Sequence, residues 1–264
     1  LVIATGAIPI ELETTQKHPQ SFTLRTSKDA KKISRAASIF KSALIIGCGY
    51  IGLEVAASLT KLGLRVDVIE MADRLLARVA SPQISAFFAE LHQSHDVGLH
   101  IGANCQEILQ KDGAFTGVQL NDGSQIVAEL LLVGIGVLPD LELAKSAGIM
   151  AGNGILVDAM MQSSVQDIFA IGDVTGNPML AHKATHEGKV AAEVIAGNNV
   201  SFNPITIPSV IYTNPEVAWC GDTENELNEQ SIRYIKAEFP WSASGRALAV
   251  GASNGITKIL CNEK

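Results

Sequence analysis

The chain has 264 residues, an apolar fraction of 47% and a formal net charge of −7. This length allows one large domain or two modest ones, and the apolar fraction is sufficient for well-packed cores. The acidic balance and the lack of any basic block argue against a nucleic-acid partner.

Membrane insertion and secretion are not indicated by the sequence. No apolar run approaches the length of a membrane span, and no signal-peptide pattern opens the chain. The four cysteines are widely scattered and form no CxxC or CxxxxC pair. Such spacing predicts reduced thiols and a cytoplasmic location, not a disulfide framework or a zinc site.

The first forty residues contain few strong signals. Residues 1–6 (LVIATG) predict a strand that runs into a turn. Residues 7–40 are expected to be mostly loop, with one short helix over 29–37 that Ser27 would cap.

The segment from Ala43 to Glu70 carries the strongest pattern in the chain. An apolar run over 43–46 predicts a buried parallel strand, and Gly47-Cys-Gly49-Tyr-Ile-Gly52 leads from it into an amphipathic helix. Gly47 would form the tight turn, Gly49 would let the backbone approach a pyrophosphate, and Gly52 would let the helix pack closely on the strand. Residues 64–69 predict the next strand. The whole is a βαβ dinucleotide-binding pattern.

Glu70 ends that second strand at about the 20-residue spacing expected of an acid that binds a ribose 2′-hydroxyl. A carboxylate here would repel a 2′-phosphate, so NAD(H) is favoured over NADP(H). Arg74 is the one nearby residue that favours the opposite preference. Cys48, inside the turn, has two interpretations: a reactive thiol at a helix N-terminus, or a small buried residue, which we favour.

The following residues predict further α/β structure. A helix should begin at Ser81, and short alternating runs over 98–101, 105–109, 115–120, 124–127 and 130–133 predict strands. Another apolar strand over 168–173 ends at Asp173 and precedes a helix over 182–196. From residue 207 onward, strands punctuated by proline predict the start of an α+β unit.

The order of these motifs resembles that of the FAD-dependent pyridine nucleotide-disulfide oxidoreductase superfamily. The motifs that carry the resemblance are Ala4-Thr-Gly6, the GxGxxGxE of 47–54, Gly134-Ile-Gly136 and Ile171-Gly-Asp173. Residues 1–165 resemble the ferredoxin (putidaredoxin-like) reductases. Residues 167–264 resemble dihydrolipoamide dehydrogenase, through segments such as Pro178-Met-Leu-Ala-His-Lys183 and Tyr212-Thr-Asn-Pro-Glu216. The chain is therefore interpreted as a mosaic with a seam near residue 165.

The resemblance implies two cofactor sites. For NAD it implies Gly47, Gly49, Tyr50, Ile51, Gly52, Glu54, Glu70 and Gly136. For FAD it implies Thr5, Gly6, Gly172, Asp173 and the start of the following helix, namely Met179, Leu180, Ala181 and His182. Asp173 would bind a ribityl hydroxyl, and its alternative is an ordinary turn acid. His182 and His186 are spaced to permit a metal pair, but no third ligand is evident, so no metal is expected.

Three departures from the family pattern affect the expected activity. No GxGxxG for the FAD adenosine precedes Leu1, no CxxxxC redox pair is present, and a C-terminal His-Pro-Thr…Glu base is absent. We therefore expect a fragment with no catalytic residues of its own, which does not oxidise dihydrolipoamide unaided.

The expected fold is α/β. A Rossmann-like NAD domain (41–160) is inserted in a partial FAD-binding domain (1–40 and 161–200), and the start of a dimerisation domain (204–264) follows. The expected function is hydride transfer between nicotinamide and flavin, as in dihydrolipoamide dehydrogenase. The alternatives are a ferredoxin-type NADH reductase and a non-catalytic NAD-binding module. The expected partners are nicotinamide dinucleotide, a lipoyl or iron–sulfur protein and, for the full protein, a second copy of the chain.

Overall fold

The computed structural model describes residues 1–12, 18–213 and 215–262. In chain order the strands are β1 Val2–Ile3, β2 Ala7–Pro9, β3 Ser21–Phe22, β4 Ser42–Ile46, β5 Arg65–Glu70, β6 Gly98–Ile101, β7 Cys105–Lys111, β8 Ala114–Leu120, β9 Gln125–Val127, β10 Leu130–Val133, β11 Val137–Pro139, β12 Phe169–Ala170, β13 Ser209–Ile211, β14 Val217–Trp219, β15 Tyr234–Pro240 and β16 Ile256–Asn262. The helices are α1 Ser27–Ala37, α2 Tyr50–Lys61, α3 Pro82–Gln93, α4 Glu142–Ser146, α5 Ala181–Ile195, α6 Glu224–Glu229 and α7 Gly245–Ala249, with 3₁₀ turns at Gly172–Thr175 and Trp241–Ala243.

A five-stranded parallel sheet forms the centre of the larger unit. Its strand order is β3-β10-β4-β5-β6, so the chain crosses over between non-adjacent strands. In β4 every residue is buried, because helices cover one face and a second sheet covers the other. This arrangement brings the carboxyl ends of β4, β5 and β10 to one edge, where open α/β sheets bind ligands.

The two faces of this sheet have separate apolar cores. Ala43 and Ile45 point toward helices α1, α2 and α3, in the core that includes Leu53 and Phe88. Leu44, next along β4, points the other way, toward the antiparallel sheet β7-β8-β9. The alternation follows from the two-residue period of a strand.

The structure adds an element that the sequence did not predict. Residues Ser21–Phe22 form strand β3, which pairs in parallel with Leu131 and Leu132 of β10. Helix α1, which follows β3, packs in the same core as α2 and α3. It is capped by Thr26, whose hydroxyl accepts from the backbone N–H of Asp29, so the prediction of Ser27 as the cap was wrong by one residue. Thr26 also completes a reciprocal capping box with Asp29, a pairing that Ser27 at the cap would not make.

A smaller unit joins the two ends of the segment that resembles an FAD domain. Strands β1 and β12 pair in parallel, with Val2 opposite Phe169. Helix α5 packs beside them through Val190 and Ala191. The antiparallel pair β2 and β11 lies between this unit and the five-stranded sheet.

The last part of the chain forms two hairpins, β13-β14 and β15-β16. Ile211 of β13 is fully buried in the core that lies under α2, with Val217 and Trp219 packed against the same core. The first hairpin is therefore attached to the nucleotide-binding layer. Across the described residues, no helix is long and apolar enough to cross a membrane.

Substitution of Phe88 tests the assignment of the apolar core between the sheet and helices α1, α2 and α3. Phe88 is the largest side chain that is fully buried, and it stacks edge-on against Phe87. We expect Phe88→Ala to lower the free energy of unfolding by about 3–5 kcal/mol, because the cavity adds to the lost burial. Urea unfolding measures this, with Leu62→Ala as a control, since Leu62 is 61% exposed. Equal losses in the two variants would contradict the assignment of this core.

Candidate functional site

The glycine turn between β4 and α2 has the close packing that the motif requires. Gly47 adopts φ +96°, a left-handed conformation that favours glycine. A β-carbon on Gly52 would stand 2.0 Å from the carbonyl oxygen of Gly47, so the helix can approach the turn only without one. At Gly49, by contrast, a β-carbon would meet no atom within 4 Å. The missing side chain leaves open space there, which fits the approach of a pyrophosphate.

Helix α2 begins beside this space without a side-chain cap. Gly49 is the N-cap of α2 and provides no side-chain hydrogen bond to the first turn of the helix, which includes Tyr50 and Ile51. Both residues are half-buried against the helix-covered core. An uncapped helix N-terminus of this kind favours phosphate oxygens.

Glu70 is the last residue of β5, and its side chain reaches the glycine turn that follows β4. Its carboxylate accepts the backbone N–H of Cys48 at 2.9 Å and that of Ala72 at 2.9 Å. Burial alone would raise the pKa of Glu70, but these donors and the nearby charge of Arg78 outweigh it, and the pKa lies below its ordinary value. An ionised carboxylate offers about four lone-pair sites. Acceptor capacity therefore remains for a ribose hydroxyl.

Cys48 is an interior residue of the turn, as we favoured from the sequence. Its side chain is fully buried, and burial together with the charge of Glu70 raises the pKa of its thiol to about 12. The interpretation of a reactive thiolate is not supported at neutral pH.

Arg74 is engaged inside the protein. Its guanidinium donates to the carbonyl oxygens of Ala80 at 2.7 Å and Ala77 at 2.8 Å, and to the hydroxyl of Ser85 at 2.8 Å. These bonds direct its donors into the loop between β5 and α3. Arg74 therefore stabilises this loop. Because its guanidinium is engaged within the protein, it gives little support for a preference for NADP(H).

Gly136 and Glu54 lie at two further positions around the turn. Gly136, with φ +123°, follows the end of β10, where the N–H of Gly134 donates to the carbonyl of Ile46. Glu54 lies on the second turn of α2 and is half-buried. Burial raises the pKa of its carboxyl, and the backbone N–H of Tyr212 opposes that shift only in part.

The flavin-side residues predicted from the resemblance also lie at neighbouring strand ends. Thr5 and Gly6 follow β1, while Gly172 and Asp173 follow β12, its parallel partner. The hydroxyl of Thr5 donates to the carbonyl of Asp140 at 2.9 Å. Gly6 and Gly172 both have positive φ, +76° and +79°.

Asp173 is half-exposed at the 3₁₀ turn. Among the residues that the structure describes, none makes a hydrogen bond to its carboxylate. Sequence reasoning missed the residues behind this turn: Lys183 and Glu187, a buried ion pair with Nζ and Oε1 2.8 Å apart. Their spacing of four residues on a predicted helix was the available signal.

The resemblance also implies flavin contacts at the start of α5. Met179 and Leu180 are half-buried, and Ala181 and His182 are exposed. Leu180, the N-cap residue, has no side-chain acceptor for the N–H groups of the first helical turn. The two histidines are engaged elsewhere than with each other. His182 Nε2 lies 2.6 Å from the carbonyl of Pro208, and the ring of His186 packs edge-on against Phe202.

Comparisons with known proteins agree with this geometry. A model of the pyridine nucleotide-disulphide oxidoreductase family matches residues 1–188. The chain belongs to this family. The family's dimerisation-domain model matches residues 207–264. Enzymes of the pyridine nucleotide-disulphide oxidoreductase family use FAD and NAD. The α/β fold predicted from the sequence is confirmed by the structure and by this family match.

Relatives of both expected classes occur. A dihydrolipoyl dehydrogenase from Haemophilus influenzae is 38% identical over 98% of this chain and 54% of its own length. A ferredoxin reductase structure from Rhodopseudomonas palustris is 33% identical, with a TM-score of 0.75, over 79% of this chain and 54% of that one. A putidaredoxin reductase, solved in covalent complex with putidaredoxin, is 30% identical with a TM-score of 0.75, over 80% and 54%. The chain spans about half the length of the curated relatives it matches.

Glu70 gives a prediction for pH dependence. Because its folded-state pKa is lowered, its ionised form stabilises the fold fully above the ordinary pKa of 4.5, and this contribution is lost as pH falls through the folded value. We expect Glu70→Gln to be less stable than wild type at pH 7, with a difference that shrinks as the pH falls below 4.5 and through the lowered folded-state pKa. Denaturant unfolding at a series of pH values measures this. A difference that persists at low pH would contradict the role given to the charge; Glu193→Gln, at an exposed site, is the control.

The thiols should differ in reactivity. Cys220 and Cys261 are exposed, whereas Cys48 is buried with a raised pKa. With N-ethylmaleimide at about pH 8 we expect the two exposed thiols to be modified in the folded protein and Cys48 only after unfolding. Peptide mapping by mass spectrometry with and without urea measures this, and labelling of Cys48 in the folded protein would contradict the burial of the turn.

Proposed function

We propose that the chain is the NAD-binding part and a portion of the FAD-binding part of an NADH-linked flavoprotein oxidoreductase of the dihydrolipoyl dehydrogenase type. The observation that carries the proposal is the hydrogen bond from the Cys48 N–H to Glu70, at the residue next to the open space at Gly49. One turn would thus provide both the phosphate-binding N–H groups and the ribose acceptor.

The proposed NAD site uses these residues in distinct ways. The uncapped N-terminus at Tyr50 and Ile51 would donate to the pyrophosphate, and Glu70 would accept a ribose hydroxyl. Gly52 keeps the helix close to the turn, and Gly136 lies beside it at the end of β10. Glu70 and the inward engagement of Arg74 together support NAD(H) over NADP(H).

The proposed FAD contacts come from the second pair of strand ends. Asp173 has a carboxylate that no described residue engages, which suits a ribityl hydroxyl. Thr5, Gly6 and Gly172 form the neighbouring turns. The N-terminus of α5, with Met179, Leu180, Ala181 and His182, would present N–H donors and a positive dipole end to the flavin. When bound together, the two cofactors would exchange hydride, and this chain would hold and orient them.

The division into domains is part of the proposal. The division expected from the sequence gives 41–160 to the NAD domain, 1–40 and 161–200 to the FAD portion, and 204–264 to the start of the dimerisation domain, and we propose one change to it. Since β3 and α1 pack in the nucleotide-binding layer, we place residues 21–37 with the NAD unit. The match of 207–264 to a dimerisation domain supports a homodimer of the full protein. The four free thiols support a reducing, cytoplasmic setting.

The electron acceptor has two candidates. The dihydrolipoyl dehydrogenase relatives, which match nearly the whole chain, support a lipoyl protein. The ferredoxin reductase likeness, and the putidaredoxin reductase solved with its iron–sulfur partner, support an iron–sulfur protein as the alternative. Stopped-flow reduction of each acceptor by the full-length protein would separate them.

The first experiment is an absorbance spectrum followed by nucleotide titration. Flavin bands in the purified protein would support the FAD portion, and their absence with NADH binding retained would favour an NAD-binding module. Quenching of tryptophan fluorescence should report NADH, because Trp219 packs on the core beneath α2. NADPH should bind more weakly, since its 2′-phosphate would meet Glu70. Equal affinity for both nucleotides would contradict the role of Glu70.

Gly49→Ala tests nucleotide binding separately from folding stability. The β-carbon has open space and Gly49 has φ −74°, so the variant should unfold at the wild-type denaturant concentration. Its methyl group would nevertheless occupy the approach of the pyrophosphate, and we expect NADH affinity to fall about tenfold or more. Gly245→Ala, also in open space, is the matched control. Wild-type NADH affinity in Gly49→Ala would overturn the proposed NAD site.

A further inference from the structure

The ion pair between Lys183 and Glu187 on α5 is unusually deep. Nζ and Oε1 are 2.8 Å apart, and the side chains are only 7% and 3% exposed. Pairs spaced by four residues on a helix are ordinarily at the surface, where they contribute little. Burying both charges is unfavourable unless further hydrogen bonds satisfy their remaining donors and acceptors. The location of those bonds therefore shows what the pair holds.

All of the further bonds go to one turn, residues 172–176. Lys183 Nζ donates to the hydroxyl of Thr175 at 2.9 Å, with the carbonyls of Gly176 at 3.3 Å and Gly172 at 3.4 Å also in reach. Glu187 Oε2 accepts the backbone N–H of Gly172 at 2.7 Å. The Thr175 hydroxyl lies 3.3 Å from the other carboxylate oxygen. The ion pair thus contacts the turn at its first residue, Gly172, and at its last, Gly176.

The 172–176 turn, which the ion pair stabilises, contains Asp173. Its backbone follows Gly172, whose φ of +79° is a conformation that must be kept for the chain to leave β12 in this direction. The Asp173 carboxylate itself is half-exposed and has no partner among the residues that the structure describes. The backbone around Asp173 is therefore fixed from behind, while the side chain stays available in front.

We infer that Lys183 and Glu187 are positioning residues, which hold the 172–176 turn so that Asp173 presents its carboxylate to the ribityl chain of a flavin. This inference rests on the proposed flavin site. Docking of α5 does not need the pair, because Val190 and Ala191 already pack against Phe169 in an apolar cluster. The pair's contribution is specific to the turn.

The test uses a double variant, Lys183→Met/Glu187→Met, which removes both charges and keeps similar volume. Replacing a buried ion pair with apolar residues is often neutral for stability. The fold should therefore persist while the turn loses its hydrogen bonds. The matched control is Lys189→Met/Glu193→Met, which has the same spacing on the same helix at exposed positions. Glu187→Gln is a second variant, since its amide oxygen can still accept from Gly172.

Hydrogen exchange in the cofactor-free protein gives the first readout. In the double variant the Gly172 amide should exchange about tenfold faster or more, since its charged acceptor is gone, while amides inside α5 stay protected. The control should match wild type, and Glu187→Gln should lie between. Unchanged exchange at Gly172 in a folded double variant, or in Glu187→Gln if the double variant does not fold, would overturn the inference.

Cofactor binding gives the second readout. FAD affinity should fall about tenfold in the double variant, while NADH affinity at the distant glycine turn is unchanged. Faster exchange with wild-type FAD affinity would overturn the link to the flavin. If wild-type protein binds NADH but no FAD, the proposed flavin site fails, and the exchange measurement still decides whether the pair holds the turn.

Discussion

The nucleotide-binding layer depends on one carboxylate that joins two strand ends. Glu70 ends β5, and its oxygens accept N–H groups from Cys48 in the glycine turn and from Ala72 in its own loop. The two backbone segments are thereby fixed relative to each other before any ligand arrives. The close contact of Gly52 with Gly47 requires this fixed geometry, because a shift of either segment would separate the helix from the turn. Binding would then carry little cost of ordering the site.

The 172–176 turn, proposed to face the flavin, is held by the same kind of hydrogen bond as the glycine turn. In both turns a carboxylate from a neighbouring element accepts a backbone N–H beside a glycine, from Glu70 to Cys48 and from Glu187 to Gly172. Glu70 is half-exposed and keeps acceptor capacity for a ligand. Glu187 is buried, and Lys183 neutralises it. Glu70 would thus both hold its turn and contact the proposed ligand. Glu187 holds its turn only, and Asp173 would provide the carboxylate for the ligand.

The order β4-α2-β5 was predictable because its signals are local: an apolar strand, spaced glycines and Glu70 at the end. Strand β3, Ser21–Phe22, was not, since two residues show no periodicity and only pairing with β10 defines them. The sequence likewise places Arg74 near the site, but the bonds that turn it inward form only when the loop folds. Lys183 and Glu187 have the spacing of an exposed pair, and their burial depends on a turn that is contributed by a separate strand.

The attachment of hairpin β13-β14 has a geometric consequence. Ile211 is buried beneath α2, and the N–H of Tyr212 donates to Glu54 on that same helix. The segment that matches a dimerisation domain thus begins with residues that pack against the same core as α2. If two copies associate through this segment, the contact between copies begins beside residues that also contact α2. A change at that contact would then act on the helix that follows the glycine turn.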